Sequence, residues 1–401
     1  MFLNFKIKNF LSIKDEYKVV FSINERQQID NTSEKLLNRY INKVGCIVGP
    51  NAAGKTNVLR AFVSFARFIE HSYTAKQNII IEPHFFDRDG NISFSTEFVE
   101  NNNQYDYEII LNKKEIIKER LRRLNLKTNR YNDIYYRDAK KIKPSNNLHV
   151  NKADLLRLDN NVSFFSFLKH LNYFKLGNIS IDSFAKVLSN VQLFHFYGIR
   201  KPMLIAMTEI SNQLAENEML RNIVVEEIQK IDLGIDDVVL VEAKQRIYDE
   251  EKDEQSQERD TKILATIHKA NGKQSLLPIF DASEGTSNYI SLFVKVHDIL
   301  QNGGILVADE LENSLHIDLV ERILNLFMKK ETNPHNAQIL FSTHNPWFLQ
   351  YLTKTQIFIV EKEKQQTEIF RLDEIKDIRN DENYFLKYIA GEYDGKPKIK
   401  E

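Results

Sequence analysis

Apolar and polar residues alternate from the start of the chain. Leu3, Phe5 and Ile7 fall on one side and Asn4, Lys6 and Lys8 on the other. A period of two predicts a half-buried strand and not a signal peptide, whose apolar core would be continuous. FLSIKDEYKVVFSI reads as further strand. VGCIVGPNAAGKTNVLRAFVSFARFIEH then changes character. It holds an apolar strand, a loop bounded by glycines, and a helix with Val58, Leu59, Phe62 and Phe65 at helical spacing. Strand-like runs follow in IIIEPHFF, ISFSTEFV and YDYEIILN, and NNNQ at 101–104 is expected to turn between the last two.

Residues 112–280 read as an extended insertion. In it, IAMTEISNQLAENEMLRNIVVEEIQKI is expected to be long and helical, and VVLVEA and KILATIHKA are expected strands. DEEKDEQSQERD at 249–260 has no apolar member and is expected to be an exposed loop. From Phe280 a glycine-containing turn leads to a helix, a buried strand GGILVAD, a helix IDLVERILNLFMKK, and strands QILFSTH and QIFIVEK.

The composition supports a large core. Of 401 residues, 42% are hydrophobic and 28% charged, which argues against wholesale disorder. Lys and Arg number 55 against 56 Asp and Glu, a net charge of −1, so any nucleic-acid contact must come from a local patch. One cysteine, Cys46, excludes an intrachain disulfide framework and a cysteine-rich zinc site. No apolar run reaches the ~18 residues of a membrane span. A cytoplasmic protein is the expectation.

Gly49–Pro50–Asn51–Ala52–Ala53–Gly54–Lys55–Thr56 fits G-x-x-x-x-G-K-S/T and sits between an apolar strand and an amphipathic helix. The glycines let backbone N–H groups turn toward phosphate oxygens, and the helix N-terminus adds its positive dipole. Lys55 would reach the β- and γ-phosphates, and Thr56 would ligate Mg²⁺. Asn57, directly after the motif, is counted with the nucleotide-contacting set. The strand Ile305–Ala308 ends in Asp309 and Glu310, and such a strand delivers carboxylates to the carboxyl edge of a parallel sheet. Asp309 would hold Mg²⁺, directly or through water, and Glu310 would polarise the attacking water. The next strand ends in His344, a candidate sensor of the γ-phosphate or a structural histidine. In Phe280–Ser287, Ser283 or Ser287 would cap the following helix, or Ser283 and Gly285 would form a second phosphate-binding element.

Residues 113–143 hold twelve basic and four acidic side chains, with Tyr131, Tyr135 and Tyr136 interleaved. They would make a solvated basic face with aromatic packing beneath, a track for a nucleic-acid backbone, or a seat for a protein partner.

The order of these parts resembles the ABC-type ATPase head, a P-loop NTPase of α/β class with a mixed β lobe and an inserted helical lobe. The segments FKIKNFLSIKDE, GPNAAGKTN, DASEGTSNYISLF, ILVADELENSLH and STHNP are similar to those of the RecF, Rad50 and overcoming-lysogenization-defect branch. The opening KIKNFLSIK, ADELENSLH and the tail FLKYIAGEYDGKPKI most resemble the RloA and abortive-infection subgroup of AAA-family ATPases. The resemblance covers both ends well and residues 120–260 poorly. It implies three regions: 1–111, the N-terminal part of the core with P-loop and β lobe; 112–262, an insertion with the basic segment and helical lobe; 263–401, the C-terminal part of the core with signature, acidic pair and switch histidine.

The resemblance further implies ATP and Mg²⁺ as cofactors and a homodimer with two nucleotides sandwiched head to tail. Lys55 and Thr56 of one copy would hold a nucleotide on which Ser283 and Gly285 of the other close, with Glu312, Asn313 and Ser314 along the seam. Glu310 would support hydrolysis and His344 would report the γ-phosphate. The expected role is ATP hydrolysis that regulates a separate effector, such as a nuclease, in anti-phage defence. The alternatives are a RecF-like repair ATPase that binds DNA directly and a non-hydrolysing scaffold assembled by ATP. The signature reads SEGT where transporter ATPases carry a serine and two glycines, which argues against a transporter. The coupling glutamine has only a weak candidate, Gln77. The stretch after His344 is too short for the nuclease domain of the overcoming-lysogenization-defect proteins.

Overall fold

A computed structural model describes residues 1–23, 33–37, 39–75, 79, 81–146, 148, 150–171, 179–194, 203–231, 234–247 and 257–393. The fold is mixed α/β and divides into two compact units. The first comprises Met1–Phe194, Ile299–Leu311 and Leu324–Glu401, and the second His195–Asp298 and Glu312–Ile323.

The first unit is built on two large sheets. One has six strands in the order Val191–Phe194, Ile305–Ala308, Gln338–Thr343, Val44–Val48, Ile357–Glu363, Gln366–Arg371. The first five run parallel, and the last turns back as an antiparallel hairpin. Val44–Val48, Ile305–Ala308 and Gln338–Thr343 are buried throughout, as strands covered on both faces must be. The other sheet is a seven-stranded antiparallel one in the order Lys141–Pro144, Arg130–Asp138, Ile116–Asn125, Asn103–Leu111, Ile92–Glu100, Phe2–Lys8, Tyr17–Val20.

Helix Lys55–Ala75 contacts both sheets. Phe62 meets Phe2 and Phe5 at 4.9 and 5.0 Å between ring centres, while Phe65 meets Phe5, Phe94 and Tyr107. These are edge-on and tilted pairs, the arrangement that aromatic quadrupoles favour.

Several expectations change on folding. Asn4 is buried, because its amide donates to Glu97 across the sheet at 3.0 Å. IIIEPHFF forms no strand among its described residues. Pro83 offers no N–H to a ladder, and single bonds serve the segment instead, Leu11 N to the Glu82 carbonyl and His84 N to Asn9 Oδ1. The long helical stretch is two helices, Met203–Glu216 and Glu218–Lys230. Asn217 stands between them in extended conformation, and its side chain accepts from Leu220 N as an N-cap. Residues 257–260 of the polar segment open the strand Gln257–Ala270, paired with residues 244–247, and 249–256 lie outside the described residues. Gln77 also lies outside them.

The expected break at 112 falls between two hydrogen-bonded neighbours, Asn103–Leu111 and Ile116–Asn125, so the basic segment continues the sheet of the first unit. Five of its twelve cations sit in ion pairs: Lys113–Glu82, Lys118–Glu108, Arg120–Asp133, Arg122–Asp106 and Arg137–Glu119. Tyr135 is fully buried and unable to stack on a base.

That burial surrounds one carboxylate. Glu119 accepts hydrogen bonds from the Tyr107 and Tyr135 hydroxyls and the Ser163 hydroxyl, each at 2.9 Å, and from Phe164 N at 2.8 Å. The Arg137 guanidinium lies 3.8 Å away and donates to the Val162, Asp159 and Asn160 carbonyls. Burial pushes the Tyr107 and Tyr135 hydroxyls well up, and the Glu119 charge adds to it.

The second unit carries the helices Met203–Glu216 and Glu218–Lys230 with a three-stranded antiparallel sheet, Asp237–Ile247, Gln257–Ala270 and Lys273–Pro278. The insertion is therefore not helical alone. Ser211 joins the first helix to the sheet by accepting from Leu264 N at 2.9 Å. Among the described residues no helix is long and apolar enough to cross a membrane.

Glu119→Gln places an amide donor among groups that all donate. It is expected to cost about 3 kcal/mol of stability, the usual scale for breaking a buried charged network. Urea unfolding measures this, and a loss below about 1 kcal/mol, the net worth of one ordinary hydrogen bond, rejects the account.

Candidate functional site

Three strand ends meet at one edge of the parallel sheet. Val44–Val48, Ile305–Ala308 and Gln338–Thr343 run the same way, so the phosphate loop, Asp309–Glu310 and His344 all leave from their carboxyl ends. This is where ligands bind in open α/β sheets.

The loop is shaped by close approach. A Cβ on Gly49 would strike the Val360 carbonyl, and one on Gly54 would strike the Thr367 hydroxyl. Gly54 has φ 113° and Ala52 φ 62°, both left-handed. Ala53 is buried, while Asn51 and Ala52 are exposed at the loop's crest and Pro50 and Thr56 are partly exposed. The Asn57 and Val58 amides bond back to the Gly54 carbonyl as the helix starts at Lys55. Lys55 is buried, and its ammonium donates to the Gly49 and Pro50 carbonyls at 2.8 and 3.1 Å.

His344 links this ammonium to the acidic pair. Its Nδ1 lies 3.2 Å from Lys55 Nζ, and its Nε2 lies 3.1 Å from Glu310 Oε1. An ammonium has only protons to offer, so Nδ1 must carry the lone pair and the Nε2 proton points to Glu310. Asp309, nearly buried, accepts from the Ser342 hydroxyl at 2.5 Å. The same hydroxyl accepts from Glu310 N at 2.8 Å, and Leu311 N donates to the Ser342 carbonyl at 3.1 Å. These bonds hold Glu310 at φ 49°, a conformation that costs a non-glycine residue about 1–3 kcal/mol.

Asn57 stands apart from the crest. Its amide donates to Ser12 Oγ at 2.7 Å, and Ser12 Oγ in turn meets Thr367 Oγ1 at 2.7 Å. Thr367 closes the buttress by donating to the Ala53 carbonyl at 2.8 Å. Ser12, Ser342 and Thr367 escaped sequence reasoning. Only Ser342, two residues before His344 on a strand next to the acidic one, carried a positional signal.

Ser283, Gly285, Ser287 and Glu312–Ser314 lie in the second unit, and the P-loop residues, Asp309, Glu310 and His344 lie in the first. Ser283 caps the helix Glu284–Asn302 by accepting from Thr286 N at 3.1 Å and meets the Thr286 hydroxyl at 2.8 Å. Ser287 donates to the Ile279 carbonyl instead. A Cβ on Gly285 would come within 2.7 Å of the Ser314 carbonyl, so glycine is required for the signature turn to lie against the segment after the acidic pair.

The donor set suits a magnesium nucleotide. The Thr56 hydroxyl and Asp309 carboxylate are hard oxygen ligands of the kind Mg²⁺ takes. The glycines leave a loop lined by backbone, above the N-terminus of a long helix. Among the described residues, no group of three or more His, Cys, Asp and Glu side chains is arranged to hold a metal by itself.

No curated protein matches this chain. Among solved structures, it is similar to the SMC head domain from Thermotoga maritima at 12% identity, covering 92% of this chain and 98% of that one, with a TM-score of 0.43. Residues 45–349, from the P-loop strand to just beyond His344, match the family described as "AAA domain, putative AbiEii toxin, Type IV TA system", and the chain belongs to that family.

Proposed function

We propose that this protein is a magnesium-dependent ATPase that pairs with a second copy on binding ATP and controls a separate effector protein, in defence against phage. The chain of contacts Lys55–His344–Glu310, beside an Asp309 held by Ser342, carries the reading. Lys55 would exchange its loop carbonyls for the β- and γ-phosphates. Thr56 and Asp309 would hold Mg²⁺, which would offset charge on the phosphate oxygens. Backbone N–H groups of the loop from Asn51 to Thr56 would cradle the phosphates. Glu310 orients the attacking water, with His344 holding its carboxylate and sensing the γ-phosphate.

Ser283 and Gly285 of the second copy close the site, with Glu312–Ser314 along the seam. The family description, "putative AbiEii toxin, Type IV TA system", supports a role in a system of more than one part. Direct DNA binding, the RecF-like alternative, loses support from the ion pairing and the burial of Tyr135 within the basic segment.

Lys55→Ala should weaken ATP binding by at least about a hundredfold in titration calorimetry, the scale of removing a buried charge-assisted contact, with an unchanged circular dichroism spectrum. Retained affinity would sink the reading. Glu310→Gln should lower turnover by about a hundredfold or more and trap an ATP-bound dimer in light scattering. Unchanged phosphate release would instead favour the non-hydrolysing scaffold. Ser342→Ala frees both Asp309 and the Glu310 amide, and should reduce turnover by about tenfold and raise the Mg²⁺ needed for half-maximal rate.

A further inference from the structure

We infer that Glu227, on the inserted helix Glu218–Lys230, is a positioning residue for the signature turn, through which the insertion sets how that turn closes on nucleotide. The inference rests on the reading of Ser283 and Gly285 as elements that complete the site of another copy.

Glu227 is nearly buried and touches two helices at once. Its Oε1 accepts from the Tyr289 hydroxyl at 2.7 Å, and Tyr289 lies one helical turn beyond Gly285 on Glu284–Asn302. Both its oxygens take the Arg322 guanidinium in a two-pronged pair, Nε to Oε1 at 2.5 Å and Nη2 to Oε2 at 2.7 Å. Arg322 belongs to Ile317–Met328, the helix that follows the acidic pair and the segment Glu312–Ser314. A fork-to-fork pair fixes orientation as well as distance.

All of these groups lie in the second unit. Within it, the signature helix and the segment after the acidic pair are joined twice: by the close approach of Gly285 to the Ser314 carbonyl and by the Glu227 clamp. Packing alone does not require the ion pair, since apolar residues of similar volume at both 227 and 322 would fill the space without stranding a charge. Burial pushes the Glu227 carboxyl up, and the hydrogen bonds from Arg322 and Tyr289 more than offset this, so the clamp is ionised at neutral pH. Any partner that shifts the helix Glu218–Lys230 thereby shifts the turn carrying Ser283 and Gly285. This is a route from an insertion without P-loop residues to the nucleotide site.

The test uses the full chain and reads three quantities: affinity for a fluorescent ATP analogue, steady-state turnover, and melting temperature. Glu227→Gln should lower kcat by about tenfold or more while analogue affinity stays within about threefold, because the P-loop residues are untouched. Tyr289→Phe, which keeps the ion pair, should lower kcat by about threefold at unchanged affinity. Glu227→Gln with Arg322→Met removes the stranded guanidinium; its melting temperature should recover while kcat stays low. Recovery of kcat along with the melting temperature, or full turnover in Glu227→Gln, overturns the inference and leaves the proposed ATPase standing. Absence of turnover in the unmodified protein overturns both.

Discussion

Helix Lys55–Ala75 turns buried residues toward two sheets at once, so both must be shaped to it. Phe62 and Phe65 lock it to the antiparallel sheet through Phe2, Phe5, Phe94 and Tyr107. It also contacts the strands that end in Asp309 and in His344. With the helix held this way, its N-terminus can lie only at the carboxyl edge of the parallel sheet. The positive end of its dipole and the Lys55 ammonium then fall on one spot. The phosphate loop is the consequence of a helix that cannot slide.

Charges at such close quarters need fixed proton positions. Lys55 forces a lone pair onto His344 Nδ1, and that settles the proton on Nε2 facing Glu310. Ser342 performs the complementary task. One hydroxyl donates to the Asp309 carboxylate and accepts from the Glu310 backbone N–H, so a single atom fixes the first acid's side chain and the second acid's backbone. The left-handed backbone at Glu310 is the cost of turning adjacent acids apart. The signature turn repeats the theme in the second unit, where Ser283 stabilises a helix start through Thr286 while its hydroxyl remains partly exposed.

The basic segment is a lesson in what charge counts omit. Along the chain it carries twelve cations and four acids. In the sheet, two acids of the neighbouring strand, Asp106 and Glu108, pair with Arg122 and Lys118, and Glu119 sinks beneath with Tyr107 and Tyr135. Strand pairing brings together residues that no local window contains. Sequence alone therefore shows residues 116–144 as a patch, and only strand pairing makes them the continuation of a sheet.

Local chemistry alone was enough for the phosphate loop, the strand–loop–helix around it, the acidic pair on an apolar strand and the order of elements after Phe280. Each of these rests on short-range rules: glycine's backbone freedom, apolar periodicity, and the need to end a buried strand in solvent. The pairing of Lys55 with His344, the support of the loop by Ser12 and Thr367, and the hold of Ser342 on both acids could not be read there. So too the burial of Glu119 and Glu227. These are contacts between residues far apart in the chain, and a polar side chain's partner is chosen by which strands and helices happen to lie beside it. Only the folded arrangement supplies that neighbour, because desolvation forces each buried polar group to take whatever donor or acceptor packing has put within reach.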